Sequence, residues 1–388
     1  MARAFGIVTS SGTHIKVEGL QQYRPIGAFS FLGRYRVIDF PISNMSNSGI
    51  DHIQVYVRNK PRSLAEHLGT GRHYNINSKR GKLQLMFAQN STENDVYNTD
   101  IAAFYENIEF IERMHEPYVI IAPSYMVYAQ NYAELLQTHI DSEADITLLY
   151  QSVDNAREEF INCDILNLNK QKGVESIEKN RGSAQKRNIF MDTYIMKKEL
   201  FIELIKKARK ISSMYTLPQI VNSLAGELDI RGVAHRGFFA SITDFNSYYN
   251  ANISLIDFKT ADALFNPEWP IRVNAEHILS DPENRERLPK KLLRFKNLPL
   301  LLETAVELGR RKTVIEPGLV VPQGYQNQLQ FLLPICLTDM EKPNLAMTLA
   351  ERNGYYLGST CLTLEMAYLN ARMIARPIAP WLTSLVKK

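Results

Sequence analysis

A regular alternation over the first half of the chain constrains the fold most. Short apolar runs are each followed by a segment with helical spacing. Residues 4–8 (AFGIV) read as a strand, 43–49 as a helix closing on a glycine, His52–Val57 as a strand, and 63–68 as the start of another helix. The pattern repeats: a helix over 101–114, a strand over 118–122 (YVIIA), a helix over 132–139 and a strand over 146–151. Strands alternating with helices call for βαβ units and a mostly parallel, doubly wound sheet. Ligands in such sheets lie beyond the carboxyl ends of the strands, which places Val8 to Gly12 and Ala122-Pro123-Ser124 at the candidate site.

Beyond residue 153 the pattern changes. Residues 154–183 are polar and hairpin-rich, 191–196 return to strand, and Lys198–Ile211 form a basic amphipathic helix with apolar Leu200, Ile202, Leu204 and Ile205. A further helix starts at 248–252. The segment Asn266-Pro267-Glu268-Trp269-Pro270 has boundary composition, so the chain divides into residues 1–270 and 271–388. The second part carries helical patterns at 298–309 and 363–375 and strand-like runs at 319–321, 329–333 and 344–349, which imply a smaller α+β domain.

Composition excludes several classes. The net charge of +4 is spread over many acids and bases and indicates neither a nucleic-acid nor a membrane surface. Cys163, Cys336 and Cys361 lie far apart, without a CxxC pair, so neither a zinc site nor a disulfide framework is implied. Residues 1–12 lack the basic and long apolar regions of a secretory signal, and no apolar run approaches the ~20 residues of a membrane span, so a soluble, cytoplasmic protein is expected.

Residues 24–50, RPIGAFSFLGRYRVIDFPISNMSNSGI, combine three arginines with a Ser/Asn/Gly cluster. With RNKPRSLAEHLGTG, MDTYIMKKELFIELI and SYYNANISLI, in that order, they make residues 1–270 resemble glucose-1-phosphate adenylyltransferase (ADP-glucose pyrophosphorylase). The likeness is greatest to its regulatory, GlgD-type subunit. The resemblance implies an α/β nucleotidyltransferase-like fold with a Rossmann-like, mostly parallel mixed sheet. It also implies transfer of a nucleotidyl group from ATP to glucose 1-phosphate, which rests on in-line positioning and on charge neutralisation by Mg²⁺ and basic side chains.

The resemblance also shows what is missing. In the family's glycine-rich loop Gly12 and Thr13 remain, but His14 replaces an arginine. Arg24 remains, yet Ile26 stands where the family has lysine. The two metal aspartates correspond to Ser124 and Ser241, with Asp244 three positions beyond the second. The family's Gly-Thr-Ala-Asp-Ala stretch is not recognisable around residues 97–100. The expected state is a degraded nucleotide site (Gly12, Thr13, Arg24) with no catalytic residue, no cofactor, and Mg²⁺ only if the chain were active. Arg34 and Arg36, supported by Arg58 and Arg62, are candidates for a sugar-phosphate or nucleotide effector. Glu178 and Lys179 resemble the family's sugar-contacting Glu-Lys pair. The implied partner is a catalytic subunit of the same enzyme in glycogen synthesis; neither membrane nor nucleic acid is expected.

Each candidate has a structural alternative. Arg34, Arg36 and Asp39 fit an ion-pair cluster, Gly12-Thr13 a strand-end turn, Glu178-Lys179 a charged hairpin tip, and the lysines of 197–210 a solvated helix face. Two other functions stay open: an active nucleotidyltransferase using Arg24 and Asp244, and an RNA-linked protein. The latter follows from residues 271–388, which lack the family's hexapeptide β-helix. They instead resemble an uncharacterised bacterial domain often found after cold-shock or S1-type RNA-binding modules.

Overall fold

In the computed structural model the chain divides into two compact units, Met1–Val273 and Asn274–Lys388. The structure describes residues 3–9, 15, 17, 19–32, 35–76, 81–88, 95–255, 257–265, 269, 271, 287–288, 298–316, 319–325, 328–339, 342–352 and 355–372.

The first unit runs β1 (Ala4–Thr9), a short hairpin β2 (Ser30–Phe31) and β3 (Tyr35–Arg36), α1 (Asp39–Asn47), β4 (His52–Val57), α2 (Arg62–Leu68) and β5 (Lys82–Phe87). It continues with α3 (Asp100–Glu106), α4 (Ile108–Glu112), β6 (Tyr118–Pro123), β7 (Met126–Tyr128) and α5 (Tyr132–Ser142). Next come β8 (Ile146–Val153), β9 (Asp164–Leu168), β10 (Val174–Lys179), β11 (Arg187–Lys197), α6 (Lys198–Ile211), α7 (Leu217–Ser223), β12 (Ile230–Ala234), β13 (Phe239–Ser241), α8 (Phe245–Ser254) and α9 (Phe258–Asp262).

Nine strands form one sheet in the order β10-β9-β11-β6-β1-β4-β5, with β8 and then β12 attached through the other edge of β11. Strands β6, β1, β4 and β5 are mutually parallel, and β12 is parallel to β8. All six residues of β1 are buried, as a strand covered on both faces requires. One face packs Val8, Val55, Ile120 and Met45 with Phe40 and Tyr132; the other packs Phe5, Ile7, Ile121 and Phe104 with Phe201 and Leu204. Gly6 admits α1 closely: a Cβ there would stand 2.4 Å from Met45 Sδ.

The mixed, largely parallel fold expected from the alternation is present. In detail, α1 begins four residues earlier than its predicted start, taking in Pro41 within the first turn, where a missing N–H costs nothing. The helix expected over 101–114 is broken at Asn107, whose side-chain amide donates to the Phe87 and Ala103 carbonyls. Strand β5 escaped the sequence reading because a half-exposed edge strand has no continuous apolar run.

Strand β11 places the site. One of its edges pairs β6 through Tyr194–Ile121 and then passes to β9 at Ile189–Ile165, while the other edge holds β8 with a register break between Phe190 and Thr193. Asp192 lies in this bulge with φ of 47°, a left-handed conformation that Asp tolerates better than most side chains.

The second unit contains α10 (Leu298–Ile315), an antiparallel sheet β14 (Val321–Tyr325), β15 (Gln328–Ile335), β16 (Leu345–Arg352) and β17 (Tyr355–Leu362), and α11 (Leu364–Arg372). Leu302, Ala305, Leu333, Ile335, Leu345 and Met347 share its main core. It is an α+β arrangement, and no β-helix occurs among the described residues.

Candidate nucleotidyl-binding site

The site forms where β1 and β6 end. Thr9 pairs with Pro123, and the Ser124 amide donates to the Thr9 carbonyl at 2.9 Å. Gly12, Thr13, His14 and Arg34 lie outside the described residues. Against this edge sits a 3₁₀ turn, Ile26–Ala28, buried throughout. Ile26 is 2% exposed and belongs to the hydrophobic core. A Cβ on Gly27 would touch Ile38 and Ser124 at 3.4 Å, so Ser124 abuts the turn. The position that resembles a lysine is therefore an apolar packing position.

Metal-binding capacity is poor at the two corresponding positions. Ser124 and Ser241 are both buried. The Ser241 hydroxyl accepts from the Cys163 thiol at 3.7 Å, and burial pushes that thiol up to about 11. Asp244, the one nearby carboxylate in sequence, caps α8. Its Oδ1 accepts from the Ser247 amide at 2.7 Å, and the Ser247 hydroxyl accepts from the Asp244 amide at 3.0 Å, a closed capping box. Two serines and a carboxylate committed to a helix end do not fit a Mg²⁺ site, which calls for carboxylate oxygens.

A carboxylate does enter this region from an unexpected element. Asp192, carried by the β11 bulge, accepts from Tyr125 at Oδ2 (3.2 Å) and from Tyr194 at Oδ1 (3.1 Å). Burial, with smaller contributions from the charges of Asp100 and Asp164, raises its carboxyl to about 7. Asp100 is itself raised to about 6 by burial, against the opposing effect of the Leu217 and Ile101 amides that donate to it. Sequence reasoning missed Asp192 because its signal is conformational: an Asp, rather than a β-branched residue, inside MDTYIM marks a bulge.

The predicted sugar residues sit on the β9–β10 hairpin beside this cluster. Lys179 pairs with Asp164 at 2.9 Å, while Glu178 is exposed and accepts from the Ser176 hydroxyl at 2.9 Å. Lys179 and Asp164 both act on the Cys163 thiol electrostatically, which places this ion pair near Ser241.

The arginine cluster is organised around Asp39, which is fully buried. It accepts from the Arg36 amide (2.7 Å) and the Tyr74 hydroxyl (2.5 Å), and pairs with His67 Nε2 (2.6 Å). The Arg36 guanidinium turns instead to the Ser63 carbonyl at 2.6 Å, and burial lowers its pKa despite Asp39. Arg24 is exposed and lies close enough to Arg36 and Tyr248 to influence both. Arg58 donates through Nη2 to the Thr99 carbonyl, but its Nη1 is buried without a partner among the described residues, as are Ser63 Oγ and His73 Nε2. Arg62 is exposed and pairs with Glu66. The ion-pair alternative is not met at Arg36: Asp39 binds its backbone amide while the guanidinium donates to the Ser63 carbonyl, and Arg34 lies outside the described residues.

A doubly wound sheet with its polar cluster beyond the ends of β1 and β6 has the architecture of α/β proteins that take ligands at that edge. A nucleotidyl transferase family model matches residues 6–251, and the chain belongs to that family. A second model, a domain of unknown function (DUF3825), matches residues 236–381. Among curated relatives, a glucose-1-phosphate adenylyltransferase of Clostridium perfringens (strain 13 / Type A) is 29% identical over 248 residues, 63% of either chain. That of Clostridium novyi (strain NT) is 27% identical over 264 residues, 67% of this chain and 68% of the relative. The chain thus spans 63% of the length of the first of these. Among solved structures, a Bacillus anthracis protein described as a glucose-1-phosphate thymidylyltransferase, in complex with sucrose, superposes with a TM-score of 0.53 at 12% identity. The match covers 69% of this chain and 98% of that one, and it supports the fold alone. No helix among the described residues is long and apolar enough to cross a membrane.

Proposed function

We propose that this chain is a regulatory, non-catalytic subunit of a glucose-1-phosphate adenylyltransferase, acting with a catalytic subunit in ADP-glucose and glycogen synthesis. The observation that carries the reading is the replacement of the charged machinery by packing: Ile26 in the core, Ser124 and Ser241 at the metal positions, Asp244 spent on a helix cap. Neutralising a triphosphate and its leaving pyrophosphate needs cations that these residues do not supply.

The regulatory role would work by population shift, the subunit binding one conformation of its partner better than the other. An anionic effector, a phosphorylated sugar or a nucleotide, would find the exposed guanidinium of Arg24, with Arg34 and Arg36 nearby in sequence. In this reading Gly12, Thr13 and Arg34 supply remnants of the phosphate-binding frame, and Glu178 and Lys179 line its sugar side.

The test is co-purification with a catalytic subunit, followed by assay of ADP-glucose formation with and without this chain. Stable association and a changed effector response support the reading, whereas failure of both removes it. Pyrophosphate release from ATP and glucose 1-phosphate by the purified chain alone would instead establish an active enzyme.

A further inference from the structure

The first unit holds a cavity of about 1010 Å³ at the end of the sheet opposite the nucleotidyl site. Its walls come from the amino ends of β1 and β4, the residues preceding β6, the turn that closes α1, and the first turns of α5. Parallel strands of six residues separate the two ends of the sheet by roughly 20 Å, so the cavity is not an annex of the Ser124–Asp192 cluster.

Two properties define what it can take. Its floor is aliphatic, built by Ile50, Ile120 and Leu136. Among the described residues its charged lining is mostly acidic: Asp51, Glu116 and Glu134 with one arginine, Arg3, in a chain whose net charge is +4. The cavity is therefore a local reversal of the protein's charge. Glu116 is only 14% exposed and pairs with His52 Nδ1 at 2.6 Å, which leaves the imidazole Nε2 as a hydrogen-bond acceptor when the ring is neutral. Glu134 is held by the Asn131 amide at 2.8 Å, so both carboxylates are positioned before any ligand arrives.

We propose that this cavity binds an aliphatic amine of the polyamine class, with methylenes on the apolar floor and ammonium groups on the acidic rim. An ammonium donates up to three hydrogen bonds and accepts none, which matches a rim of carboxylates and one imidazole acceptor. Among the described residues a phosphorylated ligand would meet three carboxylates and one arginine. The regulatory reading is not needed for this assignment.

The test is calorimetric titration of the full chain with spermidine at low salt. The comparison is with a Glu116→Gln/Glu134→Gln double variant and with Ala133→Phe. The Ala133 side chain is exposed on α5 and borders the cavity, so the phenylalanine blocks the space without entering a core. Expected is saturable binding at one site, weakened about tenfold by the double variant and by salt, and lost in Ala133→Phe. Absence of saturable binding up to about 10 mM, the weak limit of specific recognition, overturns the proposal. So does binding that Ala133→Phe leaves unchanged in a variant shown to be folded by circular dichroism. Preferential binding of inorganic phosphate over spermidine would overturn it as well.

Discussion

The Tyr125 hydroxyl donates to Asp192 Oδ2 at 3.2 Å across the end of β6, so the residue after Ser124 is tied to a carboxylate that the β11 bulge brings in. With its carboxyl held at about 7 against an ordinary 3.8, Asp192 keeps in the native state a proton that the unfolded chain has already released. Stability from this group is therefore lost as pH rises between those two values and levels off above them. Asp100, raised to about 6, adds a decline in the same direction. Asp192→Asn, which tolerates the left-handed backbone, should gain about 1 kcal/mol at pH 8 and flatten the slope between pH 4 and 7. Urea unfolding at pH 5 and pH 8 measures both, and an unchanged slope would assign the effect elsewhere.

The sheet was legible because buried parallel strands write themselves as apolar runs, as His52–Val57 does, and the helix Lys198–Ile211 was legible from its 3.6-residue spacing. The bulge at Asp192, the break at Asn107 and the edge strand β5 were not, since each depends on a neighbour distant in sequence. Likewise, the resemblance located Ile26, Ser124 and Ser241, but only packing shows that Ile26 faces the core and that Asp244 is occupied by Ser247. The Asp39 hub joins residues 28 and 35 positions away, beyond the reach of periodicity.

Asp244 distinguishes a cap from a metal ligand. Asp244→Ala should cost about 1 kcal/mol by freeing the first turn of α8, whereas Asp244→Asn should cost a few tenths, because Asn caps nearly as well. Thermal unfolding reads the difference. Equal losses would argue that the negative charge itself is required there.

Ile26 sets a limit on reviving the site. Ile26→Lys places an ammonium at a position 2% exposed, within the core that holds Val8, Ile38 and Phe40. The expected cost is about 3 kcal/mol or more, with no ADP-glucose formed by the chain alone. A variant of undiminished stability with measurable synthesis would mean that the 26–28 turn can swing outward to face the nucleotide.

Asp39 carries the hairpin-to-helix connection through the Arg36 backbone. The Arg36 amide, His67 Nε2 and the Tyr74 hydroxyl share it as acceptor at a fully buried position. Asp39→Ala should cost about 3–5 kcal/mol, as removal of one partner from a buried charged network does. Asp39→Asn should cost less, keeping one carbonyl oxygen but turning an NH₂ toward groups that already donate. Chemical denaturation of the two variants ranks them, and the reverse order would indicate that shape rather than acceptor capacity holds β3, α1 and α2 together.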